Sequence, residues 1–174
     1  PLRKEVAMHN AVIVDAVRTP LGRRNGKLKD WHPVDLAAEV LKSLQTRTGI
    51  DPAIVDDVVM GCVMQVGEQS LNVGRNAVLA AGLPETIPGT TIDRQCGSSQ
   101  QATNLASALV GSGVVDVALA CGVEVMSRVP IGSNSGKNLG LGVPIPRTYF
   151  KRYEMTSQFE GAERIADKYG ITRD

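Results

Sequence analysis

The stretch GTTIDRQCGSSQQATNLASALVGSGVVDVALACG, residues 89–122, decides the fold class. It opens with a short β-branched run at residues 89–93 and closes with an apolar run at residues 116–121. The small residues between these runs indicate a helix, with Ser98 or Ser99 as its candidate N-cap. A strand, a helix and a second strand in succession are typical of a βαβ crossover, which joins parallel strands.

The sequence before this stretch shows the same alternation. Apolar runs at residues 11–17 and 58–64 predict two more strands, the first of them buried on both faces. Helical periodicity begins at Pro33 and stops at Gly49, and a second helix is predicted to begin after a cap at Asn72. The sequence therefore predicts an α/β fold of βαβ type, with a mostly parallel sheet and helices on both faces.

The composition changes after residue 127. Residues 128–149 are rich in Gly, Pro, Ser and Asn and show no periodicity, and they are too long for an ordinary connection. A further helix is predicted over residues 156–169. We therefore predict two domains: an α/β domain at residues 1–127, and the beginning of a second, truncated domain at residues 128–174.

Composition excludes several classes of function. Of 174 residues 43% are hydrophobic, 19 Lys and Arg oppose 18 Asp and Glu, and aromatic residues make up 3%. A balanced charge with few aromatics argues against a nucleic-acid partner. No apolar run approaches the ~20 residues that span a bilayer, and the charged start is unlike a secretory signal peptide. Three well-separated cysteines argue against a disulfide scaffold and against a metal site, and they favour a cytoplasmic location.

Cys96 is the candidate nucleophile. It leaves a short strand at the mouth of a helix, where free N–H groups and the helix dipole favour an anion. Helix N-termini lower the pKa of a thiol, and the thiolate is its reactive form. Gly97 leaves room for a substrate, and the Cys96 N–H group is a candidate donor to an oxyanion. The residues alone leave open the alternative that Cys96 is a small buried residue filling a corner.

The remaining polar residues are weaker candidates. Cys62 and Cys121 lie within or at the end of apolar runs, where packing is the favoured interpretation. His9 and His32 follow no pattern of a general base for Cys96, so a base would come from elsewhere. Two acidic residues are expected near the site, Asp93 and Glu124.

Four ordered segments resemble the thiolase family of acetyl-CoA acyltransferases. They are residues 17–28, 61–84, 93–102 and 122–127. Together they cover most of residues 11–127, and the third contains the DRQCGSSQQA motif around Cys96. The chain is therefore identified as an N-terminal portion of a thiolase, and the resemblance implies a thiolase-like N-terminal half followed by the start of an inserted loop domain.

The resemblance also implies a reaction. Cys96 would be the nucleophile that becomes acylated during thiolytic cleavage of a 3-ketoacyl-CoA, or during the reverse Claisen condensation. Coenzyme A and acyl-CoA would be substrates in fatty acid or lipid metabolism, with no covalently bound cofactor. Family members are typically homo-oligomers, either dimers or tetramers.

Some positions depart from the family pattern. Asp93 stands where the family usually has Asn or Ser, and Cys121 stands where it usually has Gly. The family's catalytic histidines and a second cysteine belong to a second half. We therefore expect this chain to be an incomplete fragment that is inactive by itself.

Two other functions remain open at the level of sequence. The first is a condensing enzyme of the ketoacyl-synthase type, in which a cysteine at the same structural place is acylated. The second is a non-catalytic binding or assembly subunit that needs a partner chain.

Overall fold

The computed structural model describes residues 10–136 and 139–174. The chain divides into two compact units, of which the first ends at Asn134 and the second is Ser135–Asp174. Each unit is a group of residues that pack against one another, and such a group is not by itself a domain. The predicted organisation into a domain at residues 1–127 and an inserted domain from residue 128 stays a prediction.

Helices and strands alternate through the first unit. In chain order they are α1 (Pro33–Thr48), β1 (Asp57–Gly61), α2 (Val73–Ala80), β2 (Gly89–Ile92), α3 (Ser98–Gly111) and β3 (Ala118–Gly122). The second unit contains α4 (Gln158–Tyr169). These bounds lie within about four residues of those predicted, which is the usual error of sequence-based boundaries.

The three strands form one parallel sheet in the order β2–β1–β3. Gly61 at the end of β1 lies opposite Ile92 of β2 and Gly122 of β3. All three strands therefore end at the same edge, which is where parallel α/β sheets place their sites. The predicted α/β fold with a mostly parallel sheet is confirmed.

Neighbouring residues of β1 show that helices cover both faces of the sheet. The side chain of Met60 packs against Gly74 of α2, whereas the Cα of Gly61 faces Ser99 of α3. Because successive residues of a strand point to opposite faces, α2 and α3 lie on opposite sides. The predicted placement of helices on both faces is therefore confirmed.

The core lies mainly between the sheet and α2, with α1 packed on α2. Val58, Val73, Ala77 and Val78 are fully buried. Each buried valine contributes roughly 1.5–3 kcal/mol relative to an exposed one. This apolar layer fixes β1, and with it the edge at which the candidate site lies.

The helix ends follow the predicted signals. Pro33 occupies the first turn of α1 and His32 caps it, since the His32 Nδ1 accepts from the Val34 N–H at 3.2 Å. Gly49 ends α1 in the left-handed conformation, at φ 66°. Asn72 caps α2 by accepting from the Arg75 N–H.

The strand predicted at residues 11–17 is wrong. These residues form no regular element, and Val12, Ile13 and Val14 are at least 72% exposed. The Asp15 carboxylate instead accepts two 3.0 Å hydrogen bonds from Arg47, near the end of α1. An apolar β-branched run becomes a strand only beside a neighbouring strand edge, and no described strand pairs with this one.

The second unit is built around α4, at the position where a helix was predicted. Ser157 caps α4 by accepting from the Glu160 N–H, and Arg164 bonds both Glu160 and Glu154. No residue of α4 is buried within the described chain. None of the described helices combines the length and the apolar character that a membrane crossing requires.

Candidate active site

Cys96 lies between the end of β2 and the start of α3, and its side chain is exposed. Gly97 is the N-cap of α3, and no side chain caps the helix. The predicted cap at Ser98 or Ser99 is therefore wrong, since Ser98 is the first residue of the helix. The Ser98 N–H donates to the Gln95 carbonyl at 3.0 Å, and the positive end of the α3 dipole lies two residues after Cys96.

Hydrogen bonds with two neighbouring side chains stabilise the turn that carries Cys96. Gln95 adopts φ 48°, a left-handed conformation that is unfavourable for a residue with a Cβ. The carboxylate of Asp93 accepts from the Gln95 N–H at 2.7 Å. The buried Ser98 hydroxyl accepts from the Arg94 N–H at 2.9 Å and donates to the Gln95 carbonyl. Asp93 thus has a structural partner, which argues against the role of a base.

Two glycines let α3 approach the edge of the sheet. A Cβ placed on Gly61 would lie 2.5 Å from the Ser98 carbonyl carbon and closer still to the Ser99 nitrogen. A Cβ on Gly122 would lie 2.7 Å from the Ser99 Cβ. The first turn of α3 therefore rests directly on β1 and β3, and this contact places Cys96 at the sheet edge.

Glu124 joins the ends of β1 and β3 by hydrogen bonds. Its carboxylate accepts from the Val63 N–H at 2.9 Å and from the Met64 N–H at 3.2 Å. It also accepts from the Nε2 of fully buried Gln69 at 2.6 Å, and the Gln69 Oε1 accepts from the Val125 N–H. Sequence reasoning gave Gln69 no role at the site, since a glutamine five residues beyond an apolar run gives no signal of burial.

Cys62 lies inside this network. Its thiol is buried and lies 3.4 Å from the Gln69 Nε2 and 3.9 Å from a Glu124 oxygen. Burial, reinforced by the negative charges of Glu124 and Asp93, raises the pKa of Cys62 to about 12. Cys62 is therefore a structural thiol, as its place in an apolar run predicts.

Cys121 is also structural. Its Sγ lies 3.6 Å from the Val59 carbonyl oxygen, inside the sheet. Burial raises the pKa of this thiol to about 12. Cys96 is thus the one exposed cysteine of the three.

One of the two histidines, His32, lies within the described residues. His32 has its Nδ1 engaged in capping α1, and His9 lies outside the described residues. Across residues 10–136 and 139–174, no group of three His, Cys, Asp or Glu side chains is arranged to hold a metal ion. The site therefore brings together an exposed thiol, an uncapped helix N-terminus and a tightly held turn.

Alkylation should separate the three thiols. At pH 8 a thiol of pKa about 12 is ionised in about one molecule in 10⁴. We expect iodoacetamide to modify Cys96 at least ~100-fold faster than Cys62 or Cys121, as peptide mass spectrometry of the folded protein would measure. Equal rates at the three sites would contradict the burial described above, and denatured protein, which should react at all three, is the control.

Comparison with known proteins assigns the chain to a family. The family model described as the thiolase N-terminal domain matches residues 11–174. The chain belongs to the thiolase family. The described strands, α3 and the Cys96 turn therefore lie within the matched part of a thiolase.

Individual thiolases show the same likeness. A steroid 3-ketoacyl-CoA thiolase of Mycobacterium tuberculosis is 46% identical over 173 residues, which cover 96% of this chain and 42% of that protein. A 3-ketoacyl-CoA thiolase of Pseudoalteromonas translucida is 40% identical over 169 residues, with the same coverage of both chains. This chain thus spans about 42% of the length of these two relatives.

A solved structure gives the same result for the fold. The crystal structure of the Bacillus anthracis acetyl-CoA acetyltransferase matches with a TM-score of 0.80 and 37% sequence identity. The match covers 97% of this chain and 44% of that one. The thiolase-like fold predicted from the sequence is therefore confirmed.

Proposed function

We propose that the protein is an acyl-CoA acyltransferase of the thiolase type, with Cys96 as its acylated nucleophile. The observation that carries the proposal is the exposed Cys96 thiol at the uncapped N-terminus of α3. Cys62 is buried and Cys121 is half-buried, and burial raises the pKa of both thiols, which supports Cys96 as the nucleophile. Membership of the thiolase family supports the reaction class.

The proposed reaction has two steps. The Cys96 thiolate attacks the C3 carbonyl carbon of a 3-ketoacyl-CoA, and the C2–C3 bond breaks with its electron pair on C2. That carbon gains a proton and leaves as acetyl-CoA. The thiol of CoA then loses a proton, attacks the acyl-cysteine carbonyl and expels the Cys96 thiolate. The same steps in reverse make a Claisen condensation.

The structure supports two contributions from this chain. The exposed position of the Cys96 thiol gives a substrate carbonyl carbon access to the nucleophile. The Cys96 N–H is the candidate donor to the oxyanion that forms at each attack, since the Gly97 and Ser98 N–H groups already donate to the Arg94 and Gln95 carbonyls. Proton transfer belongs to groups other than His32, whose ring nitrogen caps α1.

The substrate class can be tested directly. We expect the protein, purified together with any chain that copurifies, to cleave a 3-ketoacyl-CoA only when free CoA is present. Loss of the 3-ketoacyl-CoA absorbance and formation of acetyl-CoA measure this. A steroid-derived substrate belongs in the assay beside a straight-chain one, because the 46% identical relative is a steroid 3-ketoacyl-CoA thiolase.

Two outcomes would favour the alternatives. Condensation that depends on acyl carrier protein and not on CoA would indicate a ketoacyl-synthase-type enzyme. Absence of both activities, together with a stable partner chain, would indicate a binding or assembly subunit. A reaction without added enzyme is the control for spontaneous hydrolysis of the thioester.

The cellular context of the protein is part of the same proposal. Three free cysteines fit a reducing, cytoplasmic compartment. The thiolase family supports a homo-oligomer, either a dimer or a tetramer. Acyl-CoA and coenzyme A are the proposed small-molecule partners, with no bound cofactor and no nucleic acid.

A further inference from the structure

The turn before Cys96 is held in an unfavourable backbone conformation. Gln95 is one of four described residues other than glycine with a positive φ, and its φ is 48°. A Cβ makes this conformation unfavourable, whereas glycine adopts it without penalty. The direction in which the chain enters α3, and therefore the position of the Cys96 thiol, depends on Gln95 staying there.

Two side chains stabilise this conformation from opposite ends of the turn. The Asp93 Oδ1 accepts from the Gln95 N–H at 2.7 Å. From the helix side, the Ser98 hydroxyl bonds both the Arg94 N–H and the Gln95 carbonyl. Ser98 is 4% exposed and its hydroxyl is fixed by packing. Asp93 is exposed, so its bond to Gln95 is the side-chain contact that can be altered without opening the core.

We propose that Asp93 is a positioning residue for Cys96, and that its carboxylate oxygen holds Gln95 in the left-handed conformation. The inference rests on the proposed function, because it takes Cys96 as the nucleophile. What the role requires is a hydrogen-bond acceptor at this position. An asparagine offers a side-chain oxygen of the same reach, so the role does not require the charge.

Two variants separate the acceptor from the charge. Asp93→Asn and Asp93→Ala both remove the negative charge of residue 93, and Asp93→Asn keeps the acceptor. Each Asp93 variant is also combined with Gln95→Gly. Glycine adopts the left-handed conformation without the free-energy penalty that the hydrogen bond to Asp93 offsets. The readouts are the rate of acetyl transfer from acetyl-CoA to Cys96 and the rate of Cys96 alkylation by iodoacetamide, both in the full chain with any copurifying partner.

We expect Asp93→Ala to lower both rates about fivefold relative to Asp93→Asn, as the loss of one hydrogen bond predicts. With Gln95→Gly present, the two variants should react at equal rates. If Asp93 instead stabilised another part of the fold, the rates of Asp93→Ala and Asp93→Asn would still differ when Gln95→Gly is present. Equal rates in the Gln95 background, or a deficit that persists with glycine, would overturn the proposal.

Cys62 reports on folding in the same samples, because it reacts only when the core opens. If Asp93→Ala unfolds the protein, recovery of folding by Gln95→Gly supports the proposal and failure to recover overturns it. If wild-type Cys96 is never acetylated while the alkylation rates follow the expected pattern, the proposed function fails and the positioning role of Asp93 stands.

Discussion

Replacement of Cys96 by alanine is expected to abolish acyl transfer while the protein stays folded. Removal of a catalytic nucleophile lowers turnover by a factor on the order of 10⁴ or more. Cys96 is exposed, so its replacement leaves no cavity in the core. Incubation of the protein, together with any chain that copurifies, with acetoacetyl-CoA is followed by intact-mass and peptide mass spectrometry, which measure the acyl adduct and its position.

Cys121→Ala is the matched control for this experiment. It also removes one thiol, from a position inside the sheet where the Sγ contacts the Val59 carbonyl. This variant should keep acylation at Cys96 and lose only stability. An adduct on Cys62 or Cys121 in the Cys96→Ala protein would show that the nucleophile was assigned wrongly.

Replacement of Gly61 by alanine is expected to have the largest effect on stability. The new Cβ would overlap the backbone of Ser98 and Ser99, and backbone atoms of a helix cannot move aside as a flexible side chain can. Overpacking of this kind costs about 1–3 kcal/mol, and we expect the upper end, about 3 kcal/mol. That loss corresponds to a fall in Tm of about 6–12 °C for a chain of this size.

Thermal unfolding followed by circular dichroism measures this change. Gly22→Ala is the control, because its Cβ would lie 3.7 Å from the nearest atoms of Leu28, at ordinary contact distance. This control should unfold within about 2 °C of the wild type. If Gly61→Ala does the same, α3 does not rest on β1 as described.

Local sequence signals predicted much of this fold. Pro33, Gly49 and Asn72 begin or end helices as expected, because capping depends on residues within one turn. The alternation of apolar runs and helical periods predicted the parallel sheet, since a βαβ unit is itself a local pattern. Cys96 could be placed at a helix mouth for the same reason.

The features that were missed depend on long-range contacts. Residues 11–17 have the composition of a buried strand, and composition does not supply the neighbouring strand that such a segment needs. Gln69 became a buried hydrogen-bonding centre only because Glu124 and Val125 arrive from a distant part of the chain. The contact of Gly61 with Ser99 likewise joins residues far apart in sequence.

The different environments of the three thiols also decide where oxidative damage falls. Peroxides reach accessible thiols first, so the sulfenic acid should form first on the exposed Cys96. Cys62 is buried and Cys121 is half-buried, and burial raises the pKa of both thiols. Under the proposed function, mild oxidation would therefore stop acyl transfer in a protein that is still folded, and a cellular reductant would protect that activity more than the stability of the fold.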